Sequence, residues 1–199
     1  MKVVILAGGF GTRLSEYTQT IPKPMVEVDK IPILLHIMNI YVNSGFNDFI
    51  IATGYKYKLI NNFFLKYAQN IKKKNNSLKL DFHFNKKNIK LRCQVNLVFT
   101  GLNTMTGGRL KKLKPYLNDQ TFMLTYGDGL AKLNIKKLLS YHNRVKKIAT
   151  LTAVRPPVRF GELRLKGNIV SKFEEKPKLS RGWINGGFFV FDKKIFQFL

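Results

Sequence analysis

The sequence has few of the residues that several kinds of functional site require. Its 199 residues include one cysteine, Cys93, so neither a disulfide framework nor a cysteine-based zinc site can form within one chain. A chain so poor in cysteine is typical of a reducing compartment. The three histidines, His36, His83 and His142, lack the spacing of metal ligands and form no Ser–His or Cys–His arrangement for nucleophilic catalysis.

Long hydrophobic runs are also missing. No apolar run approaches the ~18 residues of a transmembrane helix, and the apolar start, Met1 to Leu6, has no small-residue cleavage site after it, which excludes a signal peptide. We therefore expect no membrane insertion and a cytoplasmic location. With 45% hydrophobic and 23% charged residues, the composition predicts one globular domain over residues 1–199 with a sizeable core.

Acidic residues are scarce, at 11 against 35 basic residues, and the net charge is +24. Such a charge attracts polyanions such as nucleic acid, anionic lipid or nucleotide phosphates. The basic residues are spread along the chain, however, with Lys72–Lys74 as the longest run, and no motif typical of nucleic-acid modules is present. We favour compositional bias as the explanation and expect no nucleic-acid partner, while a polyanion partner stays open.

Short apolar strands alternate with amphipathic helices. The predicted strands are Lys2–Leu6, Asp48–Thr53, Val95–Thr100, Phe122–Thr125, Ala149–Val154 and Ile169–Phe173, and the predicted helices are Ile33–Asn43, Lys58–Ala68, Gly108–Leu117 and Ile135–His142. Residues 70–92 lack such a pattern and are predicted as a loop or a lid. The alternation favours a Rossmann-like, layered α/β fold with a mainly parallel mixed sheet flanked by helices.

The loop after the first strand is rich in glycine and reads LAGGFGTRL, followed by PKPMVEV up to Val28. Gly8, Gly9 and Gly11 let the backbone approach a ligand and aim its N–H groups at an anion. The motif is neither a Rossmann fingerprint, because the third glycine is missing, nor a Walker A loop. Arg13 offers a fork for phosphate oxygens, and Lys23 lies between two prolines. A turn that needs glycine for geometry alone is the alternative.

Two later loops carry further polar residues. Thr104–Arg109 offers hydroxyls, glycines and a guanidinium to a nucleotide, and the alternative is a helix N-terminus capped by Thr106. Asp128 lies between glycines at a strand end, where a carboxylate suits a hard cation but also suits an ordinary turn. On residue type alone, Glu175–Pro177 is a solvated charged turn, and Asn185 either serves a ligand or shapes a turn.

These motifs resemble those of one enzyme family. LAGGFGTRL followed by PKPM resembles the signature of the sugar-1-phosphate nucleotidylyltransferases. Within that family, the chain is similar to the glucose-1-phosphate cytidylyltransferases in its segments Thr104–Arg109, Thr125–Gly129, Phe173–Pro177 and Ile184–Phe189. The resemblance runs from Met1 to about Asp192. It implies transfer of a nucleotidyl group from CTP to α-D-glucose 1-phosphate, giving CDP-glucose and pyrophosphate for cell-surface polysaccharides such as the O-antigen of lipopolysaccharide.

The resemblance also implies roles for particular residues. Arg13 and Lys23 are expected to be catalytic, because they offset the charge of the triphosphate and of the leaving pyrophosphate, and Asp128 is expected to hold Mg²⁺. The sugar-phosphate residues it implies are Glu175, Lys176 and Asn185. The nucleotide-binding residues it implies are Leu6, Ala7, Gly8, Gly9, Phe10, Gly11, Thr12, Arg13, Lys23, Thr104, Arg109 and Asp128.

The chain departs from the family pattern at its C-terminal end. Family members continue for several dozen residues beyond the position of Leu199, and we expect that part to carry a second metal-binding aspartate, more of the sugar site and subunit contacts. We therefore expect a nucleotidyltransferase domain without the family's C-terminal part, with its activity and any homo-oligomer open. The alternatives are a thymidylyl- or uridylyltransferase and an inactive, polyanion-binding remnant of the fold.

Overall fold

The computed structural model describes residues 1–11, 20–117, 121–156, 162–175 and 182–199. The strands within these ranges are β1 (Lys2–Ala7), β2 (Glu27–Val28), β3 (Ile31–Pro32), β4 (Asp48–Thr53), β5 (Ala68–Lys74), β6 (Ser77–Lys86), β7 (Ile89–Phe99), β8 (Phe122–Tyr126), β9 (Ala149–Val154), β10 (Glu162–Lys166), β11 (Ile169–Glu174) and β12 (Ile184–Phe191). The α-helices are α1 (Ile33–Val42), α2 (Tyr57–Lys66), α3 (Thr106–Lys112) and α4 (Ile135–Val145). Short 3₁₀-helices lie at Lys23–Met25, Lys114–Tyr116 and Lys193–Gln197.

Eight of these strands form one sheet in the order β5-β6-β7-β4-β1-β8-β12-β9. The central strands β7, β4, β1 and β8 are parallel to one another. On either side, β6 and β12 run in the reverse direction and pair antiparallel with both of their neighbours. The predicted α/β class with a mainly parallel mixed sheet is therefore confirmed, since six of the eight strands run in one direction.

Apolar side chains cover both faces of the sheet. In β4, Phe49 and Ile51 point to a core cluster shared with α1, α2 and α4, whereas Ile50 and Ala52 point to a second cluster shared with α3 and the C-terminal 3₁₀-helix. This alternation follows from the two-residue period of a strand. Burial on both faces explains why the central strands are continuous apolar runs in the sequence.

The prediction of a loop or lid over residues 70–92 is wrong. These residues lie in β5, β6 and the first part of β7, which pair antiparallel at one edge of the sheet. Two-residue turns join them, at Asn75–Asn76 and Lys87–Asn88, and their first residues have positive φ. In β7 the pattern of burial alternates from Ile89 onward. The predicted third strand, Val95–Thr100, was the C-terminal half of a longer one.

The physical reason for the error is the edge position of these strands. Six of the seven residues of β5 are exposed, so the strand carries Lys72–Lys74 instead of an apolar pattern. Lysines on an edge strand oppose pairing with other chains. In β6, Leu80, Phe82 and Phe84 are buried at every second position. That alternation was the signal for a half-buried strand.

The surroundings of Cys93 and His36 agree with the scarcity of reactive groups in the sequence. Burial raises the pKa of the Cys93 thiol to about 12, so this cysteine is a packing residue rather than a nucleophile. The ring of His36 contacts the carbonyl oxygen of Val28 at 2.9 Å from Nε2. Among the described residues, no helix is both long enough and apolar enough to cross a membrane.

His142 predicts a pH dependence of stability. The side chain is buried beneath β9, with Nδ1 2.8 Å from the Thr150 hydroxyl. Burial lowers the pKa of His142, and the charge of Asp192 opposes that effect. An unfolded histidine titrates near ~6.5, so below that pH the unfolded chain binds the proton first. We expect the free energy of unfolding to decrease there as the pH falls, by at most ~1.4 kcal/mol per unit from this residue.

Urea unfolding at a series of pH values from ~7.5 to ~5.5 measures this slope. His142→Gln should flatten it, because the substituted side chain does not titrate. Asn143→Gln, a change on the exposed side of the same helix, is the matched control and should keep the slope of the unsubstituted protein. Equal slopes for His142→Gln and the unsubstituted protein would show that this histidine does not link stability to pH.

Candidate functional site

The carboxyl ends of the four central strands meet at one edge of the sheet. Gly8 follows β1, Gly54 follows β4, Thr100 follows β7 and Gly127 follows β8. The chain moves from β1 to β4 and β7 on one side and then crosses to β8 on the other, so the strand order reverses at β1. In open α/β sheets, ligands bind outside the strand ends at such a switch point.

A cavity of about 430 Å³ lies at this edge. Its walls come from the loops after β1, β7 and β8 together with the 3₁₀-helix at Lys23. The lining residues are Leu6, Ala7, Gly8, Gly9, Phe10, Gly11, Lys23, Pro24, Asn103, Thr104, Met105, Thr106, Arg109, Tyr126, Gly127 and Asp128. The described members of the predicted nucleotide-binding set thus lie around one cavity, and their roles stay predictions.

Arg109 lies beneath the glycine loop and is 4% exposed. Its Nη1 donates to the Thr100 hydroxyl at 2.7 Å and to the Gly101 carbonyl at 2.7 Å. Its Nη2 donates to the carbonyls of Gly8 at 2.7 Å and Leu102 at 3.0 Å. Burial lowers the pKa of Arg109, but a guanidinium stays protonated in proteins. The contact of Arg109 with a nucleotide stays a prediction. Its hydrogen bonds give it a second role, which is to connect the loops after β1 and β7.

Two glycines, Gly8 and Gly54, make room for this guanidinium, and a third, Gly101, makes room for the Thr104 side chain. A Cβ on Gly8 would lie 2.4 Å from Arg109 Nη1, and a Cβ on Gly54 would lie at the same distance. Gly101 has φ +98°, which disfavours any other residue. Sequence analysis missed Gly54, although the strand-end position in Thr53-Gly54-Tyr55 was a signal. The need for glycine at position 8 comes from a buried side chain 101 residues later in the chain.

Thr104 belongs to the same hydrogen-bond network. Its hydroxyl donates to the Thr100 carbonyl at 2.7 Å and accepts from Lys112 Nζ at 3.2 Å. Lys112 also donates to the Thr100 carbonyl, at 2.9 Å. Helix α3 begins at Thr106, with Met105 at the N-cap and no side-chain cap bond, so the alternative of Thr106 as the cap was wrong. The predicted helix Gly108–Leu117 is α3 followed by a 3₁₀-turn.

Lys23 and Asp128 both line the cavity and approach each other, with Nζ 3.7 Å from Oδ2. The approach depends on Gly127, because a Cβ there would lie 3.0 Å from both Pro24 Cγ and the Leu6 carbonyl. The Gly127 N–H donates to that carbonyl at 2.9 Å. The Lys23 side chain is 17% exposed and that of Asp128 is 47% exposed. The pair therefore presents a cation held by packing and a carboxylate open to the cavity.

Among the described residues, the predicted sugar-phosphate residues do not share one location around the cavity, unlike the predicted nucleotide-binding residues. Asn185 Nδ2 donates to the Tyr126 hydroxyl at 3.4 Å, and its Oδ1 accepts from the Gly187 N–H at 2.8 Å. Tyr126 lines the cavity, whereas Asn185 is not among the lining residues and reaches the cavity wall only through this contact. Glu175 is exposed and is not among the lining residues. Sequence analysis did not single out Tyr126 as a lining residue, and its position at the end of β8, directly before Gly127, was the available signal.

Three predicted residues, Thr12, Arg13 and Lys176, lie outside the described residues, and their roles stay predictions. Within the described ranges, no group of three or more His, Cys, Asp or Glu side chains is placed to hold a metal ion. Among the described residues that line the cavity, Asp128 provides the one carboxylate. Magnesium in phosphate-transfer sites is commonly held by one or two carboxylates plus substrate phosphates and waters, so Asp128 fits such a site.

Comparison with known proteins identifies the class. Residues 2–199 match the family described as Nucleotidyl transferase, and the chain belongs to this family. Over its whole length it is 44% identical to glucose-1-phosphate cytidylyltransferase of Salmonella typhimurium, and it covers 78% of that protein. The predicted family resemblance is thereby confirmed.

More distant relatives share the architecture. The chain is 28% identical to D-glycero-α-D-manno-heptose 1-phosphate guanylyltransferase of Aneurinibacillus thermoaerophilus, with 99% of this chain and 77% of that protein covered. Its structure superposes on the crystal structure of HddC from Yersinia pseudotuberculosis with a TM-score of 0.69 and 27% identity, covering 100% of this chain and 79% of that chain. The architecture of sheet and cavity is thus that of a solved fold.

Proposed function

We propose that the chain transfers the cytidylyl group of CTP to α-D-glucose 1-phosphate, giving CDP-glucose and pyrophosphate. The observation that carries this proposal is the convergence of the glycine loop, Lys23 and Asp128 on one cavity at the strand ends. The choice of CTP and glucose 1-phosphate rests on the similarity to glucose-1-phosphate cytidylyltransferase. We further propose that residues 1–199 form a single nucleotidyltransferase domain, since strands from both ends of the chain join one sheet.

The reaction is a substitution at phosphorus. A phosphate oxygen of glucose 1-phosphate forms a bond to the α-phosphorus of CTP, and the bond from that phosphorus to the oxygen bridging to the β-phosphate breaks. The electron pair of that bond leaves on pyrophosphate. The attacking oxygen is already anionic, so no general base is required, in keeping with a cavity whose described lining has no histidine or cysteine.

The difficulty of this reaction is electrostatic, because two anions must meet and negative charge grows on the leaving group. The Gly8–Gly11 segment supplies backbone N–H groups that suit phosphate oxygens. Lys23 brings a cation whose position is fixed by Pro24, which is buried against Gly127. We assign to Lys23 the stabilisation of charge on the departing pyrophosphate, and to Arg13, by resemblance, the same task.

A divalent metal ion is part of the proposal, and Asp128 is the residue that would hold it. A bound Mg²⁺ would supply charge neutralisation between phosphate oxygens of the two substrates. Asp128 is half-exposed and 3.7 Å from Lys23, so its carboxylate keeps accessible oxygen for such a ligand. Next to Tyr126, Asn185 is assigned to the sugar, and Glu175 and Lys176 are assigned to the sugar phosphate by resemblance alone.

We place this activity in the cytoplasm, where it would supply CDP-glucose for the synthesis of cell-surface polysaccharides such as the lipopolysaccharide O-antigen. That assignment follows from the proposed product and from the resemblance. The composition, with a single cysteine, supports the location.

The test is magnesium-dependent pyrophosphate release from a nucleotide panel, run on the 199-residue chain. We expect release with CTP plus glucose 1-phosphate and at most a small fraction of that rate with dTTP, UTP or GTP. Omitting glucose 1-phosphate, or chelating the metal with EDTA, should abolish release. A preference for dTTP or UTP would keep the chemistry and overturn the nucleotide. If no pyrophosphate is released with any of the four nucleotides, the proposed activity is rejected in favour of an inactive remnant of the fold that only binds polyanions.

A further inference from the structure

The ends of β1, β4 and β7 are joined by one buried side chain, that of Arg109. Its terminal nitrogens donate to the Gly8 carbonyl after β1, and to the Thr100 hydroxyl and the Gly101 carbonyl after β7. A longer contact, of 3.4 Å, reaches the Thr53 carbonyl at the end of β4. We propose that Arg109 is a positioning residue that holds the glycine loop in its phosphate-binding shape, and that Gly54 is the residue that admits it. This inference rests on the proposed function, because it assigns the loop to phosphate.

The effect on the loop follows from peptide geometry. In a trans peptide the carbonyl of one residue and the N–H of the next point in opposite directions. The Gly8 carbonyl is held inward by Arg109 Nη2 at 2.7 Å and by the Tyr55 N–H at 3.1 Å. The N–H of Gly9 therefore points away from the guanidinium, and Gly9 lines the cavity. Fixing Gly8 thus orients the first donor that the loop offers to an anion.

The charge of Arg109 adds to this effect. The guanidinium is buried, so its field is screened less than that of a surface cation. A hydrogen bond from a cation to the Gly8 carbonyl also polarises the same peptide group, which makes the Gly9 N–H a stronger donor. A lysine at position 109 could not make the same bonds, because a compact ammonium lacks the planar fork that reaches acceptors on two loops at once.

Gly54 is the structural condition for this placement. A Cβ at position 54 would lie 2.4 Å from Arg109 Nη1, 2.6 Å from the Gly8 carbonyl and 2.8 Å from the Gly101 carbonyl. Two of these three neighbours are backbone atoms of the loops themselves, so a side chain could be accommodated only by displacing the guanidinium and the loops. Gly54 does not line the cavity, so its substitution can affect a bound phosphate only by displacing Arg109 and the glycine loop.

The test compares Gly54→Ala, Arg109→Met and the double variant. Inorganic pyrophosphate and CTP are titrated by calorimetry, and pyrophosphate release gives kcat and KM. We expect each single variant to bind pyrophosphate and CTP about tenfold more weakly and to lose about 100-fold in kcat, since small misplacements of a site have effects of that size. The double variant should lose no more than the worse single variant, because both changes remove the same arrangement.

A milder variant covers the case in which these proteins fail to fold. Thr100→Val removes one acceptor of Arg109 with nearly unchanged volume, and we expect the same pattern at smaller size. Thr150 is another buried threonine, which contacts His142. Thr150→Val is therefore the matched control and should leave pyrophosphate affinity unchanged. Hydrogen exchange gives a readout apart from activity, with faster exchange expected in Thr100→Val at the Tyr55 amide, which donates to the Gly8 carbonyl.

The outcomes separate this inference from the proposed function. If Arg109→Met weakens CTP but leaves pyrophosphate affinity intact, the arginine acts on the base or ribose and the positioning role is rejected. Unchanged affinities and exchange in Gly54→Ala would also reject it. If the unsubstituted protein binds pyrophosphate but releases none from CTP and glucose 1-phosphate, the proposed reaction fails, while affinity and exchange still decide the role of Arg109.

Discussion

Replacing Lys23 by Met is expected to lower kcat by about 100-fold or more while changing the KM for CTP much less. The reason is that negative charge grows on the departing pyrophosphate, so a fixed cation stabilises the transition state more than bound CTP. Removing one group that stabilises charge in this way typically costs on the order of 3 kcal/mol. Lys23 meets the condition of fixed position, because it lies in a Pro-Lys-Pro segment and its side chain is 17% exposed. Steady-state pyrophosphate release measures both constants.

Two further variants make this result specific. Lys23→Arg keeps the charge but not the compact ammonium, and it should recover part of the lost turnover. Lys72→Met removes one positive charge from the exposed edge strand β5 and should leave both constants unchanged. A Lys23→Met enzyme with a higher KM and unchanged kcat would mean that the lysine binds CTP and its transition state equally. That outcome would contradict the catalytic role.

The cavity could be located from the sequence because its parts follow short apolar strands. The strands Asp48–Thr53 and Ala149–Val154 have the predicted bounds, and β1 and β8 are each one residue longer than predicted. Parallel strands place their carboxyl ends at one edge, so residues far apart in the sequence could be assigned to one site. Gly8–Gly11, Lys23, Thr104 and Asp128 do lie around one cavity.

The arrangement around Arg109 could not be predicted in the same way. In the sequence, Arg109 is a polar residue near glycines, which is equally typical of a ligand contact and of a structural one. Apart from the Thr100 hydroxyl, its partners are backbone carbonyls at the ends of three strands, and the bond to Gly8 spans 101 residues of chain. Backbone acceptors leave no mark on residue type, so only the fold shows where the donors are directed.

The edge of the sheet was mispredicted for a different reason. The core strands are buried on both faces and stand out as apolar runs, whereas β6 is buried on one face and β5 on neither. A strand that is not buried on both faces depends for its stability on its pairing and on cross-strand contacts, which are properties of its neighbours. A window of sequence that begins with Lys72–Lys74 therefore gives the signal of a loop.

Phe82→Ala is expected to lower the free energy of unfolding by about 3–5 kcal/mol, the usual range for removing a buried phenylalanine. Phe82 is completely buried in β6, and its ring lies 4.7 Å from that of Phe64 in α2, centroid to centroid. It also packs edge-on against Tyr67, at 6.2 Å. The three rings join the edge hairpin to a helix of the core, so truncation leaves a cavity that neither side can fill. Urea unfolding followed by circular dichroism measures the change.

Lys79→Ala is the matched control, because Lys79 is an exposed residue of the same strand, and its substitution should change stability by no more than about 0.5 kcal/mol. The comparison distinguishes the two accounts of residues 70–92. A lid that opens and closes over the cavity would contribute little to global stability, so Phe82→Ala would then resemble Lys79→Ala. A large loss confined to Phe82→Ala requires that the hairpin unfolds together with the core, and a loss below about 1 kcal/mol would contradict its place in the sheet.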